Sequence, residues 1–304
     1  MMACATGTRG NGTASLLAAE SRVDSFRVQM PQLSGRTRTV RVYLPQGYET
    51  SGRAYPVLYL QDAQQLFQPG PFGDWLVDET MDHLVARDPA RAMIIVGVDN
   101  SPDRWDEYGP WTNAHMHAWV DSSWSRPVQG GQGDAYVDFL TQTLKPRIDQ
   151  LYRTLPDREH TGVGGSSMGG LVALYAGLTR PDVFSRVMAM STAVWFAEGE
   201  GPWLSDNRLL ELIATHAPPR NVKFYLDVGA AERSRDHDPD VRDARGEAVA
   251  YPRAYVEGTN AVAAALRSAG VPERNLSEVV DPAGIHNESA WSRRFEPALL
   301  WLFP

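Results

Sequence analysis

Gly165-Ser166-Ser167-Met168-Gly169 reads G-x-S-x-G, the pattern of a nucleophile elbow. At such a site a strand stops, turns sharply and becomes a helix within a few residues. Ser167 stands at the apex, where the backbone is strained and a bulky neighbour would collide with the returning chain. Glycines at 165 and 169 remove those collisions. The turn lifts the Ser167 hydroxyl out of the sheet and leaves the Met168 N–H at a helix N-terminus, aimed at whatever Ser167 attacks. A Gly/Ser cluster alone is more often a loop. Here a short run from Glu159 to Gly164 precedes it, and an apolar segment from Leu171 to Leu178 follows.

A serine hydroxyl is a poor nucleophile unless a base takes its proton, and the base must be held in one tautomer by a third group. The elbow predicts an α/β-hydrolase fold, in which nucleophile, acid and histidine follow one another along the chain. His216, His237 and His286 follow Ser167. His216 ends a predicted helix and His237 sits in a charged loop. His286, in Asp281-Pro-Ala-Gly-Ile-His-Asn-Glu just past the last predicted strand, is the expected base. The acid should follow the strand Phe224 to Val228, and Glu232 is the choice, with Asp236 and Asp238 as alternatives from the same loop. A second oxyanion donor is expected from a backbone N–H after the strand ending at Asp62, near Ala63 or Gln64, with Gln64 chosen.

Two metal readings carry less weight. Asp236-His-Asp-Pro-Asp240 with Glu247 matches four positions of a calcium loop, but Val241 replaces its turn glycine and Asp243 its apolar position. His115-Met-His117 has no carboxylate or cysteine partner at a suitable spacing. No metal and no cofactor are expected.

The elements that must position these residues are legible in the pattern. Thr39 to Leu44 alternates like a strand with one buried face, and Ser25 to Met30 is its neighbour. Val57 to Asp62 and Met93 to Val98 are continuous apolar runs, as expected for parallel strands covered on both faces. A helix from Trp75 to Val85 joins them in a βαβ unit. Residues 100–133 have no period, are long for a connection, and hold Trp105, Trp111, Trp119 and Trp124, which favours a functional loop. Asp134 should cap a helix that Pro146 kinks or splits. Strands are expected over Val183 to Met190, Asn221 to Val228 and Leu276 to Val280, with helices over Leu209 to Thr215, Pro252 to Ala269 and Glu288 to Phe303. The expected architecture is one domain over residues 23–304, a doubly wound, mostly parallel sheet with helices on both faces.

Composition narrows the function. The hydrophobic fraction of 43% and nine tryptophans suit a packed core. A net charge of −8 argues against a nucleic-acid surface or anchoring on anionic lipid. No apolar run reaches membrane length. The single cysteine, Cys4, excludes an internal disulfide framework. Residues 1–22 read as a poorly ordered tail with neither a charged n-region nor an apolar h-region, so the default expectation is the cytoplasm. Met-Met-Ala-Cys4 also matches the end of a lipoprotein cleavage site whose upstream part is missing, which would place the protein in the periplasm or outside the cell.

Over Thr39 to Phe303 the chain resembles the putative-esterase family of α/β-hydrolases, in particular its enterobactin (ferric-siderophore) esterase-like branch. The likeness rests on Val57-Leu-Tyr-Leu-Gln-Asp-Ala-Gln-Gln-Leu-Phe67, Arg104-Trp-Asp-Glu-Tyr-Gly-Pro-Trp111, Gly165-Ser-Ser-Met-Gly-Gly170 and Gly284-Ile-His-Asn-Glu-Ser-Ala-Trp291. It implies Ser167 as nucleophile and His286 as base, with an acid whose position varies between branches. The family usually reads Asp-Gly-Gln where this chain has Asp62-Ala63-Gln64, and the added methyl restricts that loop. The resemblance also implies substrates such as siderophore lactones with catechol-bearing acyl groups, or feruloyl and acetyl-sugar esters. Arg104, matching a family arginine, would then meet an acidic or electron-rich group; otherwise it pairs with Glu107 or Asp106.

The expected activity is therefore a serine carboxylic-ester hydrolase on a small-molecule ester, with Trp105, Trp111 and Trp195 walling the pocket. The alternative for these tryptophans is packing of the long loop onto the domain. An acyltransferase on the same triad is the second hypothesis. A non-catalytic binding module is the third, though nothing about binding requires a Ser167/His286 pair.

Overall fold

The computed structural model describes residues 20–70, 73–201, 203–216, 221–232, 241–242, 248–249 and 251–304. Its centre is an eight-stranded sheet of β1 (Arg22–Met30), β2 (Arg36–Leu44), β3 (Val57–Gln61), β4 (Ile94–Val98), β5 (Thr161–Ser166), β6 (Arg186–Met190), β7 (Lys223–Gly229) and β8 (Leu276–Asp281). The spatial order is β1-β2-β4-β3-β5-β6-β7-β8. β1 and β2 form an antiparallel hairpin, β2 pairs antiparallel with β4, and every later pair is parallel. This mostly parallel sheet with its helices is the α/β-hydrolase fold.

The inner strands are apolar runs because helices cover both faces. α1 (Val77–Arg87) and α7 (Glu288–Leu302) pack together on one side. On the other, α2 (Gly133–Asp138), α3 (Lys145–Leu151), α4 (Met168–Thr179), α5 (Arg208–His216) and α6 (Tyr251–Ser268) make the second layer. α4 has no polar face and is buried from Met168 to Leu178, as a helix that is apolar all round must be.

One helix expectation is corrected. α2 begins at Gly133 after Gln132, and Asp134 does not cap it; the Asp134 carboxylate instead accepts the Tyr175 hydroxyl at 2.6 Å, tying α2 to α4. Pro146 does divide the helical run, through a π-helical segment, Phe139–Leu144, between α2 and α3. Proline lacks an N–H and its ring crowds the carbonyl four residues back, so the turn before it widens. Residues 100–133 hold one-turn helices at Arg104–Tyr108 and Met116–Trp119 and a two-residue pairing of Thr112–Asn113 with Gln129–Gly130. Among the described residues no helix is long and apolar enough to cross a membrane.

Parallel pairing has one consequence for chemistry. It delivers the carboxyl ends of β3, β4, β5, β6, β7 and β8 to one edge of the sheet. Asp62, Asn100, Ser167, Ser191, Glu232 and His286 all lie just beyond those ends.

Candidate active site

Between β5 and α4 the chain turns at Ser167, whose φ of 56° and ψ of −122° are costly for a residue with a Cβ. From Thr161 to Leu178 every residue is buried except Ser167. The turn is held by backbone groups alone: the Ser167 N–H donates to the Met190 carbonyl at 2.9 Å, and its carbonyl accepts from Ala193 N–H at 3.1 Å. A Cβ on Gly165 would lie 2.7 Å from the Gly169 carbonyl carbon, and one on Gly169 would lie 3.1 Å from Gln61 Cβ. The first glycine lets the helix fold back on the strand. The second brings the start of α4 against the end of β3.

Glu232 and His286 meet. The acid's Oε2 lies 2.6 Å from His286 Nδ1, and the carboxylate has no solvent exposure. The loops that carry them are locked together, with Ala230 N–H donating to the Asp281 carbonyl at 2.8 Å and Ala231 N–H to that of Gly284 at 3.0 Å. The imidazole sits between the Tyr255 ring, 4.7 Å away, and the Trp291 ring, 5.1 Å away and nearly perpendicular. Burial alone would raise the Glu232 pKa. Hydrogen bonds from His286, Ser191 and the Gly229 N–H outweigh it and hold the carboxyl below its ordinary value. Asp227, the acid inside β7, is engaged on another side by Arg294 at 2.9 Å.

At the end of β3, Asp62 adopts a left-handed conformation (φ 62°) and opens a single turn over Ala63–Gln65. The Ala63, Gln64 and Met168 amides donate to no acceptor among the described residues, as befits the first N–H groups of helical turns. The Gln64 side chain is spent on Asn100, donating to its carbonyl at 3.1 Å and its Oδ1 at 2.9 Å and accepting its N–H at 3.0 Å. That clamp leaves only the backbone of Gln64 for other work.

The expected partners of Arg104 are corrected. Its guanidinium grips both oxygens of Asp62, at 2.7 and 2.8 Å, and neither Glu107 nor Asp106. Those two acids are taken by Arg36 and Arg38, and by Arg126. Burial would lower the Arg104 pKa, but Asp62 beside it raises it and keeps the charge. Arg104 thus anchors the turn that presents Ala63 and Gln64.

The Ala63 methyl, which departs from the family pattern, has a structural counterpart. It is fully buried, 2.7 Å from where a Cβ on Gly97 of β4 would lie. Gly97→Ala is therefore expected to destabilise the protein by about 1–3 kcal/mol through overpacking. Adding Ala63→Gly should recover part of that loss. Urea unfolding of the two single variants and the double variant measures the coupling.

Trp105 and Trp111 are partly exposed, and Trp105 stacks on Phe196. Trp195 is only 1% exposed, so it does not form pocket surface. It lies behind Trp105, stacked on Trp119, with its indole 3.1 Å from the Tyr255 hydroxyl. The packing alternative holds for Trp195 and Trp119, while Trp124 is exposed. His216 lies at the exposed end of α5 beside Thr215, His115 faces Glu200 and His117 the Ser125 carbonyl. Asp236, His237, Asp238 and the calcium-loop positions through Asp240, with Glu247, lie outside the described residues. Ser191, Tyr255 and Asn100 carry no motif, and only the fold brings them to the site.

The model of the family described as putative esterase matches residues 32–302. YbbA, an uncharacterised Bacillus subtilis protein, is 22% identical over 266 residues, 88% of this chain and 92% of YbbA. The iron(III) salmochelin esterase of Escherichia coli O6:H1 is 25% identical over 215 residues, 66% of this chain but 44% of that protein, so the match spans less than half of its length. Among solved structures, a ferulic acid esterase superposes with a TM-score of 0.64 at 22% identity, covering 93% of this chain and 98% of that one. The family match runs from before β2 through the last turn of α7, and on that ground the chain belongs to the putative-esterase family and is a carboxylic ester hydrolase.

Proposed function

We propose that the protein hydrolyses esters of bulky aromatic acyl groups through a Ser167–His286–Glu232 relay and an acyl-enzyme. The observation that carries this reading is the 2.6 Å bond between Glu232 and His286 Nδ1, at the same sheet edge as the one accessible residue of the elbow. With Nδ1–H held by the carboxylate, His286 Nε2 carries the ring lone pair that accepts the Ser167 proton as Oγ attacks the ester carbonyl. The negative oxygen that forms is met by the Met168 and Gln64 amides, each worth on the order of a hundred- to a thousandfold in rate. His286 then returns its proton to the departing alcohol, and water repeats the sequence on the acyl-enzyme.

The aromatic preference is supported by Trp105, partly exposed and next in the chain to Arg104, whose side chain is itself about one-fifth exposed, and by Trp111, also partly exposed, which meets the Tyr175 ring of α4 edge to face at 5.5 Å. Flat apolar walls suit aryl groups, and a fixed cation suits their electron-rich substituents. The iron(III) salmochelin esterase and the ferulic acid esterase to which the chain is similar are named for substrates of that class.

A panel of p-nitrophenyl esters of graded chain length, beside feruloyl, acetyl-sugar and siderophore-lactone esters, tests it. Feruloyl or catechol-bearing esters are expected to exceed acetyl esters in kcat/KM by at least about tenfold, the scale of ~1–3 kcal/mol of added pocket contact. Rapid quenching should trap the acyl group on Ser167, seen by mass spectrometry. Equal rates for acetyl and aryl esters would remove the aromatic assignment. Transfer of the acyl group to an added alcohol in preference to water would make the enzyme an acyltransferase.

A further inference from the structure

Glu232 is not held by the histidine alone. Its second oxygen, Oε1, receives the Gly229 N–H and the Ser191 hydroxyl, each at 2.6 Å. Ser191 stands directly after β6, fully buried, with a φ of 43°. A left-handed conformation costs free energy for a residue with a Cβ, and persists where the surroundings over-determine it. They do so here. The Ser191 N–H donates to the Asp227 carbonyl at 2.6 Å, and its Oγ accepts the Trp291 indole N–H at 2.9 Å and Arg294 Nη2–H at 3.1 Å. Arg294 is in turn fixed by Asp227 at 2.9 Å, with Asp281 at 3.6 Å.

A serine hydroxyl has one hydrogen and two lone pairs. Indole and guanidinium occupy both lone pairs of Ser191, so its hydrogen is left with one direction, towards Glu232 Oε1. Resting on the relay described above, we propose that Ser191 is a positioning residue for catalysis, holding the Glu232 carboxylate so that Oε2 keeps facing His286 Nδ1 through the reaction. The buried Arg294–Asp227 pair supplies the fixed donor that sets the direction of the serine proton. Trp291 serves acid and base together, donating to Ser191 while its ring meets the His286 ring edge to face.

This arrangement answers a need of the cycle. His286 alternates between imidazole and imidazolium as protons pass to and from Nε2, and an acid secured only through the histidine would be free to turn with it. Two protein donors on Oε1, neither belonging to His286, keep the carboxylate in place in both states.

Ser191→Gly removes the hydroxyl and relieves the backbone, since glycine takes a φ of 43° without strain. Ser191→Ala removes the hydroxyl alone. Both are expected to lower kcat on a p-nitrophenyl ester about ten- to a hundredfold, the scale of one hydrogen bond to a charged group, with KM unchanged. Ser191→Cys, a weak S–H donor, should fall between them and the wild type. In proton NMR the low-field signal of His286 Nδ1–H should move in the glycine variant, which is expected to melt at a lower temperature because Trp291 and Arg294 lose an acceptor, yet to keep the wild-type near-UV circular dichroism at the assay temperature. Wild-type kcat with an unmoved Nδ1–H signal would overturn the proposal. Glu232→Gln, measured alongside, separates the two levels. If it cripples the enzyme and Ser191→Gly does not, Ser191 only supports the fold. If both are silent, the relay itself is wrong.

Discussion

Ser167→Ala is expected to lower kcat/KM by about a millionfold, the scale seen when the nucleophile of a serine hydrolase is removed. The structure explains why so large a loss should leave the fold intact. The Ser167 side chain caps no helix; the turn is held by its backbone N–H and carbonyl, which alanine keeps. The strain of a φ of 56° is also the same for alanine as for serine, because both carry a Cβ. What disappears is the atom proposed to bond to the acyl carbon. A residual acceleration of roughly a thousand- to ten-thousandfold over water should remain, from the oxyanion amides and substrate binding. Steady-state kinetics with an activated ester, beside a thermal melt matching the wild type, measures both halves of the expectation. Activity within tenfold of the wild type would end the assignment of Ser167.

The parts of this site that can be read from sequence are those written locally. The elbow is a run of neighbours in which glycine spacing, preceding strand and following helix agree, so Ser167 and the Met168 amide are visible at once. Strand order is less direct, yet the apolar runs and their helical connections suffice for a doubly wound sheet. The rest depends on residues far apart in the chain. That Arg104 holds Asp62 rather than Glu107 follows from the meeting of the β3 and β4 ends, and both rival acids are claimed by arginines of β2 and of the long loop. The Ala63 methyl looks like an intrusion until β3 and β4 are in register and Gly97 lies beneath it. Trp195 reads as a pocket wall because it follows a strand near the elbow, but burial is a property of the whole fold. Ser191 has no pattern at all: one serine in Met190-Ser-Thr-Ala193 matters through four partners contributed by other parts of the chain.

Glu232→Gln should cost about ten-thousandfold in kcat, by analogy with removing the charge of a triad acid elsewhere, and the cradle around the carboxylate explains why an amide cannot substitute. Two donors, the Gly229 N–H and the Ser191 hydroxyl, point at Oε1 from fixed positions. A glutamine must set its carbonyl oxygen there, because the reverse orientation would bring its NH2 against two buried donors. The NH2 is then turned to His286 Nδ1, which can only accept. The imidazole proton is driven to Nε2, the atom that should receive the Ser167 proton, and the base is blocked by its own hydrogen. Glu232→Asp keeps an acceptor-only carboxylate on a shorter arm and should lose far less. The same geometry predicts non-additivity: in Ser191→Gly/Glu232→Gln one of the donors that fixes the amide is gone, so the double variant should lose less than the product of the single losses. Stopped-flow measurement of acylation in the four proteins tests this. A Glu232→Gln enzyme that acylates at the wild-type rate would remove the carboxylate from the relay, whatever its distance from the imidazole.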